Sequence, residues 1–225
     1  MTKIIMIRHG HSIANQQGFF AGWTDAALTD TGRQQARLCG EFFRCLSNGE
    51  SDGIGKYGIS KVDAIYSSDL SRAYDTSLAV AEALGLPSIK CEGLREIYGG
   101  KWERELFASL AEKYPHDYGV WMNDISRAAC TGGESVKDFA ERIRRAVTDI
   151  AERHDGEVVV IATHATPIRV ICTLASGYRA HEIGNTPWVS NASINIFEYD
   201  GGFSAICKNV TDHLAGFETE LPKNI

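Results

Sequence analysis

Arginine and histidine gather at the ends of three apolar runs. Lys3 to Ile7 leads into Arg8-His9-Gly10, Val62 to Tyr66 leads through Ser67-Ser68-Asp69 to Arg72, and Val158 to Thr163 ends at His164. In an open parallel sheet, ligands bind beyond the C-terminal ends of the strands, so these residues should converge on one edge. Two arginines and two histidines there make a local positive patch, which suits an anion. The planar guanidinium fork matches phosphate oxygens in pairs. Taken singly, such an arginine is usually a solvated charge and such a histidine a hydrogen-bonded structural residue. The coincidence at corresponding strand ends is what carries the reading. His9 and His11 are two apart, but no third ligand stands at motif spacing, so neither a metal nor another cofactor is expected.

Strands must alternate with helices to place these residues. Ser193 to Tyr199 and Phe203 to Val210 flank Asp200-Gly201-Gly202 and read as a hairpin, and Ile89 to Cys91 adds a short strand. Ala36, Cys39, Phe43 and Leu46 repeat at helical spacing, as do Ala73, Ser77, Val80 and Leu84, the latter stopping at Gly85 with Pro87 beyond. Ser135, with Asp138 three residues later, opens a helix carrying Val136, Phe139, Ile143, Ala146 and Ile150. This order implies an α/β fold: a three-layer sandwich with a mainly parallel central sheet, right-handed crossovers and a late antiparallel hairpin. Ser47 to Ser60 holds four glycines among polar residues and reads as a mobile surface loop. Residues 97–134, with Trp102, Phe107, Tyr114, Tyr118 and Trp121, read as a partly helical insertion over the site, at least half of whose aromatics belong to the core. The whole chain, 1–225, is expected to be a single domain.

Composition excludes several classes. The 225 residues are 44% hydrophobic and 23% charged, as in an ordinary globular protein, and carry a net charge of −6. That balance disfavours a nucleic-acid or anionic-membrane partner. No apolar run approaches the ~20 residues of a membrane helix, and the first is too short for a signal peptide, so a cytoplasmic location is expected. The six cysteines include no Cys-x-x-Cys pair and read as reduced, partly buried thiols.

Several segments together carry a family resemblance. Arg8-His9-Gly10-His11-Ser12-Ile13-Ala14-Asn15, then Gly22-Trp23-Thr24-Asp25-Ala26-Ala27-Leu28-Thr29-Asp30-Thr31-Gly32, then Ser67-Ser68-Asp69-Leu70-Ser71-Arg72-Ala73 resemble the histidine phosphatase superfamily, also called phosphoglycerate-mutase-like. Leu94-Arg95-Glu96, Trp102-Glu103 and His164 continue the match in order, nearly end to end, leaving out mainly the Gly-rich loop at 47–60. The resemblance implies that His9 is a nucleophile that takes a phosphoryl group onto a ring nitrogen. A neutral imidazole suits that role near pH 7 when its other nitrogen is held as a donor. It implies further that Arg8, Asn15, Gly22, Arg72 and His164 bind the phosphate, with backbone N–H groups of the helix after His164. Glu96 is implied as the general acid and then the base, a reversal that needs a raised carboxyl pKa. Glu103 is the competing acid, and a loop glutamate paired with Arg95 or Lys101 is the structural reading of Glu96. The sequence departs from the usual pattern at His11, where relatives carry an acidic or amide residue, and at Ala165, where glycine is common; neither removes a catalytic group.

The resemblance covers mutases and phosphatases. Phosphoglycerate mutases clamp a substrate carboxylate with an adjacent arginine pair in the insertion, whereas residues 97–134 hold only Arg104 and Arg127, well apart. Tyr114-Pro115, Trp121, Gly132-Gly133-Glu134-Ser135 and Asn191-Ala192-Ser193 look like the phosphatase branch, with broad-specificity monoester and α-ribazole phosphatases among its members. The expectation is therefore a metal-independent phosphomonoester hydrolase acting through a phosphohistidine on a small phosphorylated metabolite. A cofactor-dependent phosphoglycerate mutase is the alternative, and a non-catalytic phosphate-binding module the alternative of another class. The resemblance is compatible with a homodimer.

Overall fold

Why the early and late apolar runs lie side by side is seen in the sheet. The computed structural model describes residues 1–49 and 52–220. Its strands are β1 (Thr2–Arg8), β2 (Ala64–Ser67), β3 (Ser88–Lys90), β4 (Val158–Thr163), β5 (Ile194–Tyr199) and β6 (Phe203–Val210), in the order β3-β2-β4-β1-β5-β6. The β1–β4, β4–β2 and β2–β3 pairs are parallel, while β5 runs antiparallel to β1 and to β6. The mainly parallel sheet with a late hairpin is thus as expected. β1 and β4 are central and covered on both faces, which is why they read as continuous apolar runs rather than alternating ones.

The side chains of β1 sort the layers. Ile4 and Met6 join the apolar cluster of Phe139 and Ile143 on α6 (Val136–Arg153) and Ile168 and Ile171 on α7 (Ala165–Ala175), whereas Ile5 and Ile7 join Cys39, Phe43, Val80 and Ala81 on the other face. The latter four belong to α2 (Asp30–Asn48), which follows the short α1 (Ile13–Gln17), and to α3 (Ser71–Leu84). Three layers result, because each face of the sheet buries one pair of helix stripes. The helix ends follow local chemistry. Thr29 Oγ1 accepts from Gly32 N, Ser135 Oγ accepts from Asp138 N, and Gly85 closes α3 at φ 67°.

Two expectations about connecting segments meet different outcomes. Part of the Gly-rich stretch is not a mobile surface loop: Gly53–Tyr57 forms a 3₁₀ turn, and Ile54 and Ile59 are buried in the same cluster as Phe43 and Cys45. Two isoleucines among polar residues are enough to anchor it, since burying each stabilises by about 1.5–3 kcal/mol. Glu50 and Ser51 lie outside the described residues. The interval 97–134 is partly helical as read, with α4 (Phe107–Lys113) and α5 (Pro115–Asn123). Trp102, Tyr118 and Trp121 are buried, and Phe107 and Tyr114 pack against the same cluster as Ile4 and Met6. Phe20 links this cluster to the N-terminal loops, its ring 5.6 Å from Trp102 and 6.1 Å from Trp121.

Candidate active site

The strand ends meet where β1, β4 and β2 stop in register. His9 N donates to Thr163 O at 2.9 Å, and Ser68 N donates to Ala162 O at 2.9 Å. His9, His164 and Ser68 therefore stand in a row across three parallel strands. A cavity of about 80 Å³ opens above them, lined on its polar side by Arg8, His9, Asn15, Arg72 and Glu96 and on its apolar side by Phe20, Phe107, Trp121 and Trp188. Residues up to 180 positions apart in the chain, Arg8 and Trp188, are brought together here.

His9 is oriented as a nucleophile requires. Its Nδ1 lies 2.7 Å from Gly10 O. A carbonyl only accepts, so Nδ1 holds the proton and Nε2 keeps the lone pair. Burial, reinforced by the charges of Arg72 and Arg8, holds the His9 pKa well below 6.5, so the ring is neutral near pH 7. The backbone carbonyl of His9 is fixed from the other side by Asn191 Nδ2 at 3.1 Å and Ala192 N at 3.2 Å.

The two arginines are buried and dedicated. Arg8 donates through Nη1 to Val189 O at 2.6 Å, while its buried Nε has no partner among the described residues. Arg72 donates to Thr24 O, Ala21 O and Gly22 O, each at 2.9 Å. Burial lowers both guanidinium pKa values to about 10, still far enough above neutrality to keep both charged. With neutral histidines and one carboxylate, the cavity walls carry one excess positive charge, and an unpartnered buried donor is costly until an acceptor arrives. An oxyanion satisfies both conditions.

Glu96 closes the polar side. Its Oε1 accepts from Ile97 N at 2.9 Å and its Oε2 from Thr166 N at 3.2 Å, at the first turn of α7. Burial raises its pKa, against the lowering pull of those amides and of Arg72. It does not pair with Arg95, which is held by Asp69 through Nε at 2.7 Å and stacks 4.7 Å over Trp23.

Other expected residues take different places. His164 is fully buried behind the lining; its Nε2 is 2.9 Å from Ser68 Oγ, its Nδ1 is unpartnered, and its ring stands edge-on to His9 at 5.2 Å. Burial and the neighbouring charges hold it neutral too. Asn15 spends Oδ1 on Ser12 N at 3.0 Å and Asn191 Nδ2 at 3.2 Å, which leaves its own amide Nδ2 as the donor available to a ligand. Gly22 stands outside the lining, where a Cβ would lie 2.0 Å from Ile97 O; glycine there permits the close approach that lets its carbonyl meet Arg72. Glu103 is not among the residues that line the cavity. Its Oε1 accepts from Trp23 N and Gly99 N, and its Oε2 from Thr24 N, so this rival acid is occupied in joining two loops. His11 turns to Thr29 Oγ1 at 3.0 Å. Among the described residues no group of three or more His, Cys, Asp or Glu is placed to hold a metal, and no helix is long and apolar enough to cross a membrane.

Sequence reasoning missed the supports. Arg142, on α6, donates to Gly93 O, Arg95 O and Glu96 O at 3.0–3.1 Å and pairs with Glu134, whose Oε2 accepts from Tyr98 N. Gln35 bridges His11 N and Phe217 O, each at 2.7 Å. Neither follows a motif, because both act on backbone atoms.

The sequence model of the "Histidine phosphatase superfamily (branch 1)" matches residues 4–210. "Phosphoserine phosphatase 1" of Hydrogenobacter thermophilus is 30% identical over 226 residues, covering all of both chains. "2,3-bisphosphoglycerate-dependent phosphoglycerate mutase 2" of Gloeobacter violaceus is 32% identical over 177 residues, covering 76% of this chain and 74% of its own. Among solved structures, Bacillus stearothermophilus YhfR superposes with a TM-score of 0.82 at 27% identity, covering 95% of this chain and 100% of its own.

Proposed function

Because the chain belongs to the histidine phosphatase superfamily, branch 1, we propose that it hydrolyses a small phosphomonoester through a covalent phosphohistidine on His9. The observation that carries this reading is the pairing, in one small cavity, of a neutral imidazole with an outward lone pair and a carboxyl whose pKa is raised. In the first step His9 Nε2 attacks phosphorus while the bridging oxygen leaves as an alcohol, taking its proton from Glu96. In the second, water attacks phosphorus and loses a proton to the Glu96 carboxylate, the P–N bond breaks, and inorganic phosphate and neutral His9 return. Arg8, Arg72 and Asn15 offset the charge on the equatorial oxygens, and His164 stands behind His9 to complete the donor set. The insertion at 97–134 serves as the cover of this site within a single domain.

Hydrolysis is favoured over mutase chemistry because the two insertion arginines do not meet. Arg104 lines a hollow with Phe19 and Asp25, whereas Arg127 lines a separate cleft with Arg179 and Trp188. A pocket that only bound phosphate would need no carboxyl poised as an acid. Phosphate release across a panel of monoesters, with 3-phosphoglycerate followed for isomerisation, tests the reading; binding without turnover, or isomerisation outpacing release, would overturn it.

Two further results are expected. Exhaustive chelation should leave the rate of p-nitrophenyl phosphate hydrolysis unchanged, since two guanidinium groups already supply the field that a metal would; loss restored by one divalent ion would contradict the scheme. Arg142→Gln should slow phosphorylation by alkyl phosphates by roughly tenfold, because misplacement of a catalytic group by about 1 Å costs up to 10²-fold. Loosening the loop that Arg142 holds should also admit water to Glu96 and move its carboxyl pKa down towards the ordinary range. The alkaline limb of the phosphorylation profile should then shift to lower pH, a change that simple loss of stability does not produce.

A further inference from the structure

The catalytic cavity is small, and a larger one adjoins it. About 80 Å³ accommodates roughly six water-sized atoms, enough for a phosphoryl group with its bridging oxygen and little of any alcohol. A cleft of about 650 Å³ lies between the end of α5 and the segment 178–188. That size is typical of small-molecule sites, which run about 300–1,000 Å³. Trp121 and Trp188 line both hollows, so the two adjoin at these rings, and the cleft offers the volume for an alcohol that the catalytic cavity lacks.

The charge of the cleft then selects the alcohol. Its charged lining residues are Asp124, Arg127, Arg169, Arg179 and Glu182, with His181. Arg179 and Glu182 neutralise one another, Arg179 Nη2 lying 2.8 Å from Glu182 Oε1. Arg127 is exposed, and its guanidinium has no ion pair or hydrogen bond among the described residues. Arg169 is only 3% exposed and is held at the junction of the two hollows. Its Nε donates to Thr186 O at 2.9 Å and its Nη2 to Ile183 O at 2.7 Å, and its guanidinium stacks 4.0 Å over Trp188. Its Nη1 is buried with no partner, and an arginine in which one donor is unspent is set to receive an acceptor. Two arginines thus stand against Asp124 alone, an excess positive charge in a chain of net −6. Arg169 also lies one helical turn beyond Ala165, which lines the catalytic cavity, so about 6 Å along α7 separates the two. An alcohol of two or three carbons spans that distance.

We propose that this cleft is the leaving-group subsite, and that the substrate is a phosphomonoester whose alcohol carries a carboxylate, bound by Arg169 and Arg127. The assignment rests on the hydrolase reading above. It is tested with two substrate pairs that differ only in carboxylate against hydroxymethyl: 3-phosphoglycerate against glycerol 3-phosphate, and 6-phosphogluconate against sorbitol 6-phosphate. In at least one pair the wild-type kcat/KM should favour the carboxylate by about tenfold, the worth of one charge-assisted hydrogen bond. Arg127→Glu and Arg169→Gln should each collapse that preference to near unity. Equal kcat/KM within both pairs, or a preference that survives both substitutions, overturns the proposal. Should Arg169→Gln fail to fold by circular dichroism, Arg127→Glu on its exposed site decides alone. Wild-type hydrolysis of p-nitrophenyl phosphate, measured alongside, separates the two readings: if it is absent the hydrolase reading falls, and if it is present without carboxylate preference only the subsite falls.

Discussion

His9→Ala should lose the phosphoenzyme altogether and reduce steady-state hydrolysis by at least about 10⁴-fold, as removal of a covalent nucleophile does elsewhere. No other group in the cavity replaces it. His164 is the nearest imidazole, but its Nε2 faces Ser68 Oγ and its ring is wholly buried. The fold should survive, since the truncated ring sits beyond the end of β1 and the core contacts of Ile4 to Ile7 are untouched. Rapid quench with a ³²P-labelled monoester measures both quantities, the adduct being acid-labile and base-stable as a phosphoramidate should be. Substantial turnover by a verified His9→Ala preparation would sink the covalent scheme. The pH dependence carries a second mark of the same residue. With the His9 pKa held well below 6.5, the nucleophile stays unprotonated as pH falls from 7.5 to 6.5. The phosphorylation rate at saturating substrate should therefore not decline over that window.

Which parts of this arrangement were readable before the structure follows from where each residue's information lies. β1 and β4 announced themselves because strands buried on both faces must be apolar throughout, and the chemistry at Arg8-His9 and His164 followed from the rule that parallel strands end together. Ser135 and Gly85 were readable because caps act within four residues of themselves. The Gly-rich stretch misled because composition averages over a segment, whereas Ile54 and Ile59 anchor it individually. Glu103 rivals Glu96 in the sequence because it is another carboxylate in the same run of matching segments. Only the fold shows that three backbone amides fill its oxygens. Gly22 sits in a motif that suggests ligand contact, yet its place is decided by a carbonyl 2.0 Å from where a Cβ would be. Arg142 and Gln35 left no motif, since the atoms they hold around the site, such as Glu96 O and His11 N, are main-chain atoms that every residue possesses. Side-chain chemistry was legible, then, and backbone-directed support was not.

Glu96→Gln should slow phosphorylation of the enzyme by an alkyl phosphate by about 10²–10⁴-fold and leave phosphorylation by p-nitrophenyl phosphate nearly unchanged. The asymmetry comes from the leaving group. An alkoxide is a strong base and must be protonated as the P–O bond breaks, whereas p-nitrophenolate departs as a stable anion. Glutamine keeps the length of the side chain and one of the two amide contacts, to Ile97 N or Thr166 N, so a purely positional role would be largely preserved. The wild-type pH profile supplies the sign. Burial raises the Glu96 pKa above 4.5, so the acid form persists to higher pH than for an exposed glutamate. Alkyl-ester phosphorylation should fall as pH rises through that value, and the limb should vanish in Glu96→Gln. The comparison has to be made before the steady state, because the variant also lacks the base for dephosphorylation and both substrates share that slow step. Equal slowing of phosphorylation by both substrates, or slowing of neither, would mean that Glu96 positions Thr166 and the loop at Ile97 without moving a proton.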